Sequence, residues 1–302
     1  MGWRHRSAIT PVTHRDTIVG RYNPRVNMGP KSERPHPNEN FTRLLAANAI
    51  IAAFAAFLAI CSPYLSVSLA LARPIAIVWV IGAVLVTAWF APSQGERRLL
   101  WFVVLAALYA LLFACKLGAL TPGTMFVVTL AVLTTGALVG GYIGSLLEYP
   151  GMLLVVAYVA AIADCFSVFH PSGLTAKVLA NPRALALLTI PFPVLGTREI
   201  GSLVGIGDVV FAALFVTGAR TTGLDPRRTV LAMGIALAAI AVVVEVVRAP
   251  LPALPFLSAA VVLVHPEARK LPVEHTRRIT ANLVVVTLVL GLLLLSAKLR
   301  YG

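Results

Sequence analysis

The chain is 302 residues long, 59% hydrophobic and 12% charged, whereas a soluble domain is about half apolar and about a quarter charged. That balance excludes an ordinary water-soluble globular protein and predicts a polytopic membrane protein. Its net charge is +13, but Arg4, Arg6, Arg15, Arg21, Arg25, Lys31, Arg34 and Arg43 all precede the first apolar run and most other basic residues flank later ones. The excess therefore reads as a topology signal rather than a nucleic-acid surface.

Residues 1–43 hold Pro11, Pro24, Pro30, Pro35 and Pro37 among polar and charged groups. They have too little apolar surface to offset the entropy of ordering, which predicts a disordered basic cytoplasmic tail. Apolar runs follow at 44–62, 74–91, 99–118, 123–147, 151–169, 203–219, 230–247, 251–265 and 279–297. Runs this long and uniformly apolar satisfy their backbone as helices in lipid, so the predicted fold is an all-α transmembrane bundle of nine spans. The tail exceeds a usual signal-peptide n-region, and the first run reads as a retained anchor despite the small-residue pattern Ala70-Leu71-Ala72.

Between the fifth and sixth runs, Lys177, Arg183, Arg198 and Glu199 bracket an apolar piece, Ala184 to Leu195, that Pro191 and Pro193 break. It is too short to span comfortably, so residues 170–202 are expected to be re-entrant or interfacial. With nine spans and the N-terminus inside, 17 of the 25 basic residues lie on the inner side, which places the N-terminus in the cytoplasm. The three cysteines, Cys61, Cys115 and Cys165, have no metal-like spacing and form no even set for a disulfide framework. No metal or cofactor is expected.

Two of the four aspartates, Asp164 and Asp208, lie inside apolar runs, where an ionised carboxylate is costly and a functional role is the default reading. Asp164 sits five residues before the end of the fifth run and Asp208 five residues after the start of the sixth. Consecutive spans run antiparallel, so both carboxyls are expected at similar depth near one membrane face. Ala157, Ala160 and Ala161 before Asp164, and Gly201, Gly205 and Ala212 around Asp208, form small-residue stripes that would let the two helices approach closely. Two carboxyls at close range hold one proton between them, which is an acid and a base in one site. The ionised member can take a proton from attacking water while the protonated member donates to a peptide carbonyl oxygen.

Pro250-Leu251-Pro252-Ala253-Leu254-Pro255 opens the eighth run at the same expected face. Its three prolines prevent a regular helix and leave backbone groups on which a strand-like substrate could pair. Of the remaining polar residues, Glu245 reads as an ion pair with Arg248 on one helix face, Asn48 as a helix–helix hydrogen bond, and His170 as an interfacial loop residue.

These residues resemble a known family. Gly205-Ile206-Gly207-Asp208 matches the GxGD motif of the presenilin and signal peptide peptidase family of intramembrane aspartyl proteases, and Pro252-Ala253-Leu254 matches their PAL motif. The order of an Asp on one span, GxGD on the next, an intervening span and then PAL is similar to the family's catalytic half, here residues 151–265. Residues 44–150 are then N-terminal membrane helices, and 266–302 a loop with an additional span. Ala163 stands where the family has Tyr.

The resemblance implies a presenilin-like fold in a prokaryotic cell membrane and an intramembrane aspartyl endopeptidase with Asp164 and Asp208 as the catalytic pair. Gly205, Gly207, Pro252, Ala253 and Leu254 become substrate-binding positions. The implied partners are a membrane-protein or signal-peptide substrate helix and the lipid bilayer, with no nucleic acid. Two alternatives stand beside this reading: a proton- or cation-coupled transporter using the two Asp, and a prepilin-type peptidase, which also uses a GxGD aspartate.

Overall fold

A computed structural model describes residues 37–92, 121–170, 173–247, 249 and 251–270, with isolated positions in 103–110 and 284–291. Residues 1–36, Arg248, Pro250 and most of the runs expected at 99–118 and 279–297 lie outside the described residues. Within them the fold is helical, and five helices are long and apolar enough to cross a membrane.

In chain order the elements are α1 Pro37–Cys61, α2 Leu69–Trp89, α3 Pro122–Ser145, α4 Gly151–Phe169, α5 Leu174–Leu179, α6 Pro182–Leu188, β1 Thr189–Pro193, β2 Ile200–Gly205, α7 Ile206–Thr221, α8 Pro226–Val247 and α9 Leu254–Val264. Helix α1 begins ahead of the predicted boundary, so residues 37–43 are helical rather than part of the tail. The reason lies in packing: Leu44 is fully buried and Phe41 packs against the core, which carries the helix past its apolar run.

The sequence-level segmentation also changes around the sixth and eighth runs. The sixth starts as a strand, and its helix begins only at Ile206. The eighth gives an 11-residue helix, roughly 17 Å long and short of the ~30 Å hydrocarbon core. Residues 174–205 hold two short helices and an antiparallel hairpin rather than a further span. Its register pairs Thr189 with Gly205 and Pro193 with Ile200, with an irregularity between Thr189 and Pro191.

Strands at membrane depth are tolerated when protein covers them. Here Ile190 is fully buried and Val204 nearly so. The hairpin tip is anchored by the α1–α2 connection. The Ser62 hydroxyl donates to the carbonyls of Val194 and Thr197, both at 2.9 Å, and the Gly196 N–H donates to the Ser62 carbonyl at 3.1 Å. Gly196 has φ +81°, and a side chain there would also meet the Val67 carbonyl, so glycine is required on two counts.

Helix α7 is the hub of the bundle, with Ala212, Ala213, Phe215, Val216 and Ala219 fully buried. Its main neighbour is α3, along Gly136, Gly140 and Gly144. A Cβ built on Gly140 would lie 2.0 Å from the Val210 carbonyl oxygen, and one on Gly144 would lie 2.5 Å from that of Leu214. Ascending glycines meet ascending α7 residues, so the two helices run parallel with their backbones in contact. Apolar burial drives little association in lipid, and such small-residue seams supply close van der Waals contact instead.

Polar ties complete the bundle. Asn48 on α1 donates to the Thr134 hydroxyl at 3.2 Å and accepts from the Thr87 hydroxyl at 2.7 Å, linking α1, α2 and α3 in a buried triad. Glu245 pairs with Arg73 of α2 at 2.7 Å, an ion pair between two helices; the Arg248 expected beside it lies outside the described residues. His170 lies just beyond α4, as expected of a loop residue, but it is buried and stacks on Phe166 at 4.6 Å. Where α7 ends, the Arg220 guanidinium lies over the Trp89 ring and donates to the carbonyls of Trp89 and Ala91.

Candidate active site

Asp208 owes its position to the change from strand to helix. Gly205 ends β2 in an extended conformation, with φ −89° and ψ 166°, and serves as the N-cap of α7. Asp208, three residues on, turns back so that its Oδ2 accepts the Gly205 N–H at 3.0 Å. This is one half of a capping box, with the acidic side chain satisfying an N–H that has no helical partner. The parallel α3 seam then fixes the height of α7, and with it Asp208.

Asp164 reaches its position from the opposite helix end, one turn and a half from the C-terminus of α4. Its Oδ2 accepts the Leu254 N–H at 2.9 Å, and the Ala253 N–H is directed at the same carboxyl. Ala253 is the N-cap of α9 and has no side-chain cap of its own. Asp164 therefore caps α9 from a neighbouring helix, its carboxyl oxygen accepting an N–H that has no helical partner. Ala253 and Leu254 are brought to Asp164 by their backbone N–H groups, and Pro252 and Leu254 are buried.

Helices α4, α7 and α9 are mutually in contact, with Asp164 bonded to the start of α9 and Asp208 at the start of α7. Both aspartates are half-buried, and both hold backbone N–H groups at helix N-termini. The same membrane face carries the α2 N-terminus and the α8 C-terminus, joined by Arg73 and Glu245. Thus the sequence-predicted residues Asp164, Asp208, Gly205, Pro252, Ala253 and Leu254 come together at one end of the bundle.

Gly207 lies in the first turn of α7, exposed, with nothing within 4 Å of where a Cβ would stand. That leaves open space beside Asp208. The predicted stripes fare differently. Ala157 and Ala160 are buried on α4, but Gly201 belongs to β2, where a Cβ would strike the Phe192 ring at 2.6 Å, and Gly205 is a cap. Only Ala212 of that set packs on the helix. The seam that does position Asp208, Gly136-x3-Gly140-x3-Gly144, is visible in the sequence as a four-residue glycine period, but it lies on a span without acidic residues and so carries no chemical signal of its own.

Among the described residues no group of His, Cys, Asp and Glu could hold a metal ion. Cys61 and Cys165 are free thiols. No family profile matches the chain, nor does any curated protein or solved structure at a significant level.

Proposed function

We propose that the protein is an intramembrane aspartyl endopeptidase that hydrolyses peptide bonds within or near transmembrane helices of membrane proteins or signal peptides. The observation that carries this reading is the contact among the helices that bear Asp164, Asp208 and the Pro252–Leu254 segment, with the Leu254 N–H held on Asp164. The resemblance of Gly205–Asp208 and Pro252–Leu254 to the motifs of presenilin and signal peptide peptidase supports it. On this reading the whole chain is a presenilin-like helical bundle with a cytoplasmic N-terminus, and the site opens on the outer face.

One carboxyl of the pair is ionised and the other protonated. Water lies between them and the scissile carbonyl. The ionised carboxylate takes a proton as the water oxygen attacks the carbonyl carbon, while the protonated partner donates to the carbonyl oxygen. A neutral tetrahedral diol results. Its collapse breaks the C–N bond as a proton passes to the leaving nitrogen, and the pair regains its single proton. No covalent enzyme intermediate forms.

A substrate helix must unwind first, because its carbonyls are hydrogen-bonded within the helix. The hairpin provides a receiving surface. β1 has no N–H at Pro191 or Pro193, but β2 is free of proline and leads directly to Gly205 and Asp208. An unwound segment adding to the β2 edge would run past the open space at Gly207.

The test is cleavage of a labelled single-span substrate by the purified full chain, with and without an aspartyl-protease transition-state analogue. Cleavage blocked by the analogue and lost in both Asp164→Asn and Asp208→Asn supports the proposal. An ion flux in liposomes that survives the analogue, with no cleavage, would replace it with a transporter.

A further inference from the structure

At the other end of the bundle a groove of about 510 Å³ runs between α2 and α8, within the ~300–1,000 Å³ typical of sites for one small molecule. Its walls are apolar, with Leu85 and Trp89 on α2 facing Leu231, Gly234 and Ala238 on α8. Gly234 forms the notch between them. Arg227 closes one end. We infer that this groove binds one anionic phospholipid of the adjacent leaflet, its acyl chain along α8 and its phosphate on the Arg227 guanidinium.

Three features select that ligand. From Val230 to Ala238 the groove follows eight residues of helix, roughly 12 Å. That is the depth of a chain in one leaflet of a ~30 Å core and too short to seat a spanning helix. Polarity is confined to one end, where Arg227 is exposed and Trp89 marks the interface.

The charge there is also unevenly committed. Arg228 is paired with Asp225 at 3.5 Å, and Arg220 is engaged by Trp89 and two carbonyls. The Arg227 side chain has no ion pair among the described residues. An apolar trough ending in an exposed guanidinium without an ion pair among the described residues, and in an interfacial indole, matches a lipid with a negative headgroup. The site is separate from the aspartates, since Arg220 and Asp208 are 12 residues apart along α7, roughly 18 Å.

The experiment places the full chain in phosphatidylcholine vesicles carrying a trace of lipid with a photoactivatable acyl chain, either phosphatidylglycerol or phosphatidylcholine, and maps labelled peptides by mass spectrometry. The phosphatidylglycerol probe should label residues 230–238 about fivefold more than the phosphatidylcholine probe. Arg227→Gln should bring the two probes level. Gly234→Leu, whose added carbons meet the flexible end of Leu85, should remove labelling of the groove by both. Equal labelling by the two probes in the unmodified chain, a preference that survives Arg227→Gln, or crosslinks at residues 230–238 to a second copy would overturn the assignment. Arg227 is exposed, so its substitution keeps the test decisive even where Gly234→Leu fails to fold.

Discussion

The carboxyl of Asp164 accepts the N–H of Leu254 at 2.9 Å across 90 residues of sequence, which makes one acidic side chain the cap of a helix on which it does not reside. Asp208 caps its own helix through Gly205 at 3.0 Å. Each aspartate thus has a structural task as well as the proposed chemical one. A loss of activity on removing either could reflect lost capping alone, so a substitution is needed that separates the two.

Asparagine provides it. Asn caps a helix about as well as Asp, whereas Ala loses about 1 kcal/mol. Asp164→Asn and Asp208→Asn should therefore unfold at nearly the parental temperature, and Asp164→Ala and Asp208→Ala should fall by that amount. Asn is neither a base nor an acid at neutral pH, so cleavage of a single-span substrate should drop at least ~100-fold in both Asn variants. Thermal unfolding in detergent and a gel-based cleavage assay read the two effects independently. Normal turnover in Asp208→Asn would remove it from the chemistry.

The seam beneath Asp208 gives a second test. A methyl on Gly140 would lie 2.0 Å from a backbone oxygen of α7, which cannot move aside as a side chain could. Gly140→Ala should therefore destabilise by about 3 kcal/mol, at the upper end for overpacking, and reduce cleavage by shifting the helix that carries Asp208. Gly82→Ala on α2, where nothing lies within 4 Å, is the matched control and should be neutral or slightly stabilising. Equal unfolding midpoints in the two variants would argue against a close α3–α7 contact.

What the sequence made legible was the set of long apolar helices and the placement of Asp164 near the end of one helix and Asp208 near the start of another. Span alternation and the cost of a carboxylate in lipid are strong, local signals. The hairpin was not legible. Ile200–Gly205 merges with the apolar run that becomes α7, and in a short apolar stretch periodicity does not separate strand from buried helix. Nor was Arg73 legible as a partner of Glu245, because helical spacing proposes neighbours on one helix and Arg73 arrives from another. Asn48 is legible as a helix–helix tie, since a buried amide in lipid has few other uses.

Gly207 separates room for a ligand from room for folding. It is exposed, and a methyl there meets nothing within 4 Å, so Gly207→Ala should fold as well as the parent or gain a few tenths of a kcal/mol from helix propensity. If that space admits the unwound substrate, Gly207→Leu should raise KM several-fold while the unfolding temperature holds. An unchanged KM in Gly207→Leu would place the substrate elsewhere around the aspartates.

The last expectation concerns pH and lies beyond the end of α9. His265 is buried, and its Nε2 is 2.8 Å from the Thr229 hydroxyl at the start of α8. Burial holds the imidazole below its ordinary value of 6.5; Glu267 and Asp225 pull it upward and Arg228 pushes it further down. A histidine with a depressed folded value favours the fold while neutral. Its contribution is complete above pH 6.5 and is lost as pH falls through that value toward the folded one, because the unfolded chain binds the proton more readily. The unfolding midpoint should therefore decline between about pH 7 and pH 5 in the parent, and His265→Gln should flatten that part of the decline while keeping a hydrogen bond to Thr229. Thermal unfolding at half-unit pH steps, read at fixed ionic strength, makes the comparison, and parallel curves for the two proteins would show that His265 does not couple the α8–α9 junction to pH.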